Sequence, residues 1–242
     1  MKIYTNKRVI EKYQKRGIRF SVAGLLVMGV AFILVWWPAY AYLAWPLLLV
    51  GVTISMIGTY YVNRWLRPPL PEPVMEEAFQ RFNARYVLFH HTGLVPHLLL
   101  TPKGLIVIKA KRYEGPVRYN AETEKWKGKF SIRRFYGHGL TAETLGDPAE
   151  EVRQLEEHVR AWLQLNLPDV AEQVPVEGIA LFLPPKTEFH VADSPLPLAQ
   201  PDTIKKVVQQ LFSKRKPLPR AVYNRLRDAL EAELPDDLEE AA

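Results

Sequence analysis

From Phe20 to Trp37 the chain reads FSVAGLLVMGVAFILVWW, eighteen residues without a charged side chain. As a helix such a run is long enough to cross a hydrocarbon core about 30 Å thick. A second uncharged run, Pro46 to Val62, follows after a short aromatic connection, and Pro46 is expected in the first turn of its helix, where a missing N–H does no harm. The two runs predict a transmembrane helical hairpin within residues 20–66, with spans near 20–37 and 46–62. Trp36, Trp37, Tyr40, Tyr42 and Trp45 gather at the connection and Tyr60, Tyr61 and Trp65 at the far end, as expected of rings resting at headgroup level. A cleaved signal peptide is the competing reading of the first run, but Trp-Trp-Pro is a poor substitute for a small-residue cleavage site.

Charge orients this hairpin. Lys2, Lys7, Arg8, Lys12, Lys15, Arg16 and Arg19 precede the first run, Arg64 and Arg67 follow the second, and the connection carries none. By the positive-inside bias both ends face the cytoplasm, so the expectation is a multi-pass protein of the cell membrane with both termini and the soluble part cytoplasmic. The net charge of +6 therefore has more than one cause. A basic N-terminus (residues 1–19) is explained by topology and anionic lipid, a second basic block lies between residues 101 and 145, and the C-terminal third is acidic. The chain has no cysteine, which excludes disulfides, thiolate metal sites and a catalytic thiol.

Pro68, Pro69, Pro71 and Pro73 suggest a stiff linker around 67–72. Beyond it helix and strand signals alternate. Residues 75–82 read as helix; 86–90, 97–101 and 105–111 as strands, with Gly104 supplying a positive φ in the turn; and 118–120 with 125–129 as a hairpin. Asp147-Pro148-Ala149-Glu150 is a helix start, with Asp as N-cap and Pro in the first turn. Its helix places Val152, Leu155, Val159, Trp162 and Leu163 on one stripe. A buried strand (176–183), two amphipathic helices (204–211 and 222–230) and an acidic, frayed tail from Glu231 follow. The economical architecture is α/β (α+β), a mixed β-sheet flanked by helices, with a main domain at 73–190 and a helical extension at 191–242.

The order of a Glu-bearing helix, a strand, PHLLLTPKGLIVIKAKRYEG, a Trp-containing hairpin, GDPAEEVRQLEEHVRAWL and VEGIALF resembles the nuclease-related domain (NERD) family, which is similar to PD-(D/E)XK restriction-endonuclease-like nucleases. In that family the strand before the Pro-Gly turn opens with Asp-His, and the strand after it carries Glu-x-Lys, an aromatic and a Gly. The resemblance implies two carboxylates holding Mg²⁺ and a Lys that positions the attacking water. Here Asp-His reads Pro96-His97 and Glu-x-Lys reads Lys109-Ala110-Lys111, followed by Tyr113 and Gly115. Lys111 is the one candidate catalytic residue the motif retains, with Glu77 (or Glu76) and Gln154 as its companions were the site active. Pro96 and Lys109 are degenerate positions. A Lys where an acid belongs removes an oxygen donor and adds repulsion of about 4 kcal/mol per ion charge at ~4 Å and an effective ε of ~20. The expectation is a pseudo-enzyme with no cofactor and no metal, serving in binding or scaffolding.

Lys103, Arg112, Arg118, Lys125, Lys127, Lys129, Arg133 and Arg134, interleaved with aromatics, form a candidate nucleic-acid or anion-binding set. Two other readings of this block are a solvated amphipathic hairpin and a face that meets anionic lipid. Candidate partners are accordingly the lipid bilayer, DNA or RNA, and other membrane proteins. An active nuclease with an altered site, and a structural membrane subunit, stand as alternatives. His90, His91 and His97 read as structural, since neighbours on a strand point to opposite faces. Glycine-rich phosphate loops and a serine nucleophile elbow have no support in the sequence.

Overall fold

The computed structural model describes residues 1–80, 82–128, 144–191, 194–235 and 240–241. It divides into two compact units, the first made of Met1–Asn6, residues 71–129 and residues 143–242, the second centred on Lys7–Leu70.

The second unit is a helical hairpin of α1 (Lys7–Leu34) and α2 (Ala41–Trp65). Both helices are long and apolar enough to cross a membrane. Their contact is built from small residues seven apart, Gly17, Gly24 and Ala31 on α1 and Ala44, Gly51 and Gly58 on α2, which are the buried positions of each helix. At Gly24 the backbones approach so closely that a Cβ would stand 2.5 Å from the Ser55 N–H nitrogen and 2.8 Å from the Gly51 carbonyl. Large apolar side chains such as Leu25, Leu26, Phe32 and Leu49 face outward. Three boundaries differ from expectation. α1 begins at Lys7, taking the basic segment into the helix, and ends at Leu34, because Pro38 disfavours helical geometry just before it. Pro46 lies inside α2 rather than in its first turn, since the helix starts five residues earlier. At the open end Tyr13 stacks on Trp65 at 4.8 Å between ring centres, and Gln14 donates to the Trp65 carbonyl.

In the first unit the strands are β1 (Lys2–Thr5), β2 (Val87–His90), β3 (His97–Thr101), β4 (Gly104–Lys111), β5 (Pro116–Asn120), β6 (Lys125–Gly128), β7 (Val176–Phe182), β8 (Glu188–His190), β9 (Leu198–Ala199) and β10 (Glu240–Ala241). The helices are α3 (Pro71–Phe79), α4 (Pro148–Asn166), α5 (Ile204–Leu211) and α6 (Arg220–Ala232). A seven-stranded mixed sheet runs β10-β1-β2-β3-β4-β7-β9, and a three-stranded sheet runs β6-β5-β8. β4 and β7 pair in parallel with α4 as their crossover, as a parallel pair requires.

β4 is buried on both faces, which its Leu-Ile-Val-Ile run demands. Leu105 and Val107 join Phe89, Leu98, Val159 and Leu163 on the α4 and α6 side. Ile106 and Ile108 join Leu88, Leu99, Met75, Phe79, Ile204 and Val208 on the α3 and α5 side. Asp147 caps α4 as expected, its Oδ1 accepting from the N–H groups of Ala149 and Glu150. Gly104 adopts φ 148°, and a Cβ there would meet the Pro175 carbonyl at 2.5 Å. The linker is shorter than the proline cluster suggests, because Pro71 and Pro73 occupy the first turn of α3, where they cost no hydrogen bond. The tail also begins later than Glu231, which lies within α6 and accepts from the Tyr4 hydroxyl. β1 pairs in parallel with β2, an element no local pattern in the sequence announces.

Candidate functional site

Lys109 and Lys111 lie two apart on β4 and therefore share a face of the sheet, the one covered by α4. Both ammonium groups meet one carboxylate, that of Glu151 in the first turn of α4. Lys109 Nζ lies 3.0 Å from Glu151 Oε2, and Lys111 Nζ donates to Oε1. The Lys111 side chain is 3% exposed, that of Lys109 24% and that of Glu151 31%. Burial alone would raise the Glu151 pKa, but hydrogen bonds from Lys111 and Lys109 outweigh it and hold the carboxyl below the ordinary range. Gly146 (φ 58°) closes the loop over the pair, where a Cβ would stand 2.9 Å from Glu151 Oε1. The β3–β4 pairing runs from Leu98–Val107 to Thr101–Gly104, and Pro96 lies just before β3. Of the motif positions, Lys109 and Lys111 thus share one face at the end of β4.

The companions do not join them. Glu77 is exposed on α3, and Gln154 turns its amide to Glu150 at 2.8 Å. Glu151 is the residue the sequence reading lacked. Its signal was its place four residues before Leu155 and eight before Val159, on the inward stripe of α4. Among the described residues this donor set does not fit a hard divalent cation, which needs several oxygen ligands, because the Glu151 carboxylate is shared between two ammonium groups.

The candidate anion-binding residues divide between places. Arg118 pairs in register with Lys127, and Asn120 with Lys125. Alternation then puts Arg118, Lys125 and Lys127 on one face of the small sheet, all three exposed. Tyr119 and Trp126 lie on the other face, ring centres 4.9 Å apart, with Trp126 packed on the cluster of Tyr113, Val117 and Phe182. Tyr113 itself is buried, and at Gly128 a Cβ would stand 2.3 Å from its hydroxyl. Lys103 belongs elsewhere, at the β3–β4 turn, where its Nζ donates to the Phe212 carbonyl at the end of α5. Arg112 is half-buried just after β4. Lys129, Arg133 and Arg134 lie outside the described residues.

On the α3 side of the main sheet, His90 Nδ1 lies 2.8 Å from His97 Nδ1, and His91 Nε2 lies 2.7 Å from Glu72 Oε1. Burial pushes the His90 imidazole down to about 3, so it is neutral. Glu72 is held below the ordinary carboxylate range although burial opposes this, chiefly by its hydrogen bond to His91. The expected separation of His90 and His91 fails because alternation stops with β2. His91 takes φ 56°, and both rings pack against His97, at 5.0 and 4.9 Å between centres.

A mixed sheet between helices, with a motif Lys on the strand after a Pro-Gly turn and a capped helix laid over it, defines a nuclease-like α/β domain. The model of the nuclease-related domain family (NERD) matches residues 57–183, just over half of the chain, and the protein belongs to that family. No curated protein and no solved structure matches the chain.

Proposed function

We propose that this protein is a membrane-anchored member of its family that has exchanged metal-dependent catalysis for binding, and that the basic face of its small sheet holds nucleic acid on the cytoplasmic side. The observation that carries the reading is the Lys109–Glu151–Lys111 cluster. A divalent ion beside Lys109 would meet repulsion of about 8 kcal/mol at ~4 Å and an effective ε of ~20, where the family's motif has an acid. The cluster meets the electrostatic demand of that place from within the chain, so the fold is kept without the ion. Two long apolar helices with exposed apolar side chains support the anchor. Positive charge at both ends of the hairpin supports the cytoplasmic side. Membership of Met1–Asn6 and the residues after Leu70 in one folded unit supports a common side for both ends.

The binding surface is read as Arg118, Lys125 and Lys127. Because Tyr119 and Trp126 are engaged beneath them, recognition is of the phosphate backbone rather than by base stacking, and so independent of sequence. The full-length protein in nanodiscs of neutral lipid would be titrated with duplex DNA and RNA at several salt concentrations. Three phosphate contacts give a slope of log K against log salt of about −2.7 for B-DNA. Combining Arg118→Gln, Lys125→Gln and Lys127→Gln removes most of that slope. Binding that is absent, insensitive to salt, or unchanged in the triple variant overturns the nucleic-acid reading. Triple-variant-sensitive capture by anionic vesicles instead would assign the face to lipid.

A further inference from the structure

The cluster on the α3 side of the sheet gathers three histidines and a carboxylate in one place. Glu72 comes from the first turn of α3, His91 from the residue after β2 and His97 from the start of β3, and one ligand atom from each lies within 4.8 Å of the other two. Three separate elements therefore converge two imidazoles and a carboxylate, all buried or nearly so. The left-handed backbone of His91 (φ 56°) turns its ring toward Glu72. Behind them stands His90, fully buried, whose Nδ1 contacts His97 and whose Nε2 has no hydrogen-bond partner among the described residues. A third imidazole in an apolar layer, left partly unsatisfied, is a cost without a structural return.

We infer that Glu72, His91 and His97 form a binding site for a divalent transition-metal ion of the zinc class, on the sheet face opposite Lys109 and Lys111. The donor chemistry selects the ion. Two imidazoles disfavour Mg²⁺ and Ca²⁺, which take oxygen ligands, whereas two His and one carboxylate suit Zn²⁺ or Fe²⁺ with a position left for water. With metal–ligand bonds of roughly 2.0–2.2 Å, ligand atoms in a tetrahedral site stand roughly 3.3 Å apart. Binding therefore opens the His91–Glu72 contact slightly and draws the wider pairs inward. His90 gains a role as the outer partner of a ligand. When the other nitrogen of His97 holds the metal, the proton resides on Nδ1 and is donated to His90, fixing tautomer and ring orientation as second partners of metal-bound histidines do. The site is independent of the nucleic-acid reading and of the Lys109–Glu151–Lys111 cluster.

The test uses the full-length protein in detergent, stripped with a chelator and titrated calorimetrically with Zn²⁺. The expected result is one equivalent bound per chain, a rise in melting temperature with Zn²⁺, and affinity at least tenfold weaker in both His91→Gln and Glu72→Gln. Because the chain has no cysteine, His91→Cys provides a readout that a merely structural histidine cannot give. Loaded with Co²⁺, that variant shows a thiolate-to-cobalt charge-transfer band, absent from the wild type. Wild-type protein that binds no stoichiometric Zn²⁺, binding that survives unchanged in both Gln variants, or a Co²⁺-treated His91→Cys protein without the band overturns the assignment.

Discussion

Replacing Glu151 by Gln removes a charge that two lysines share and leaves the size of the side chain almost unchanged. The two lysines do not respond equally. Lys109, 24% exposed, can turn its ammonium toward water, so its loss is that of a surface pair, below about 1 kcal/mol. Lys111, 3% exposed, cannot. Breaking a buried ion pair by removing one partner costs about 3–5 kcal/mol, and the partial exposure of Glu151 reduces this to roughly 2–3 kcal/mol. At about 2–4 °C per kcal/mol for a domain of this size, the melting temperature falls by roughly 4–12 °C. The assay is a fluorescence-detected melt of the full-length protein in detergent. Lys109→Met should melt within a few degrees of wild type, and Lys111→Met with Glu151→Met should recover most of the loss, since an apolar pair of similar volume can replace a buried ion pair. The pH dependence has a definite sign. The folded Glu151 carboxyl is held below its unfolded value, so as pH falls the unfolded chain takes up the proton first. The contribution is complete above the ordinary carboxylate range and is lost as pH drops through the folded value. The gap between wild type and Glu151→Gln should accordingly narrow in acid. A variant that melts with the wild type at pH 7, or a gap that does not change in acid, refutes the reasoning.

Three further outcomes are expected. Pro96→Asp combined with Lys109→Glu puts two acids near Glu151, so calorimetry should find one Mn²⁺ per chain more than the wild type binds; no added equivalent would mean that these positions do not converge. At Gly178 a Cβ would stand 2.0 Å from Val152 Cγ1, so Gly178→Ala should lose about 1–3 kcal/mol by overpacking, and Val152→Ala added to it should restore part of the loss in the same melt. In the hairpin, Gly24→Leu forces a side chain against backbone atoms and should destabilise the protein in detergent, whereas Gly29→Ala, with nothing within 4 Å of its Cβ, should not.

Much of this fold was legible because local signals and burial agree. The Leu-Ile-Val-Ile run of β4, the Asp147 cap and the Arg118–Lys127 hairpin each depend on neighbours close in sequence. What escaped depends on distance in the chain. β1 is four residues long and owes its pairing to β2, more than eighty residues away in sequence. Glu72 sits among prolines that read as a linker, though two of them merely start a helix. Glu151 looks like an acid placed to favour the α4 N-terminus, and only the folded chain brings it to lysines forty residues earlier. The histidine cluster was hidden for a conformational reason: alternation assumes extended backbone, and His91 is left-handed.

The central claim is that an internal ion cluster stands where the family's motif would hold a metal. The direct measurement is cleavage of DNA and RNA by the purified full-length protein with Mg²⁺ or Mn²⁺, beside Lys111→Met. The account predicts no divalent-dependent cleavage by either protein; cleavage by the wild type that disappears in Lys111→Met would contradict it.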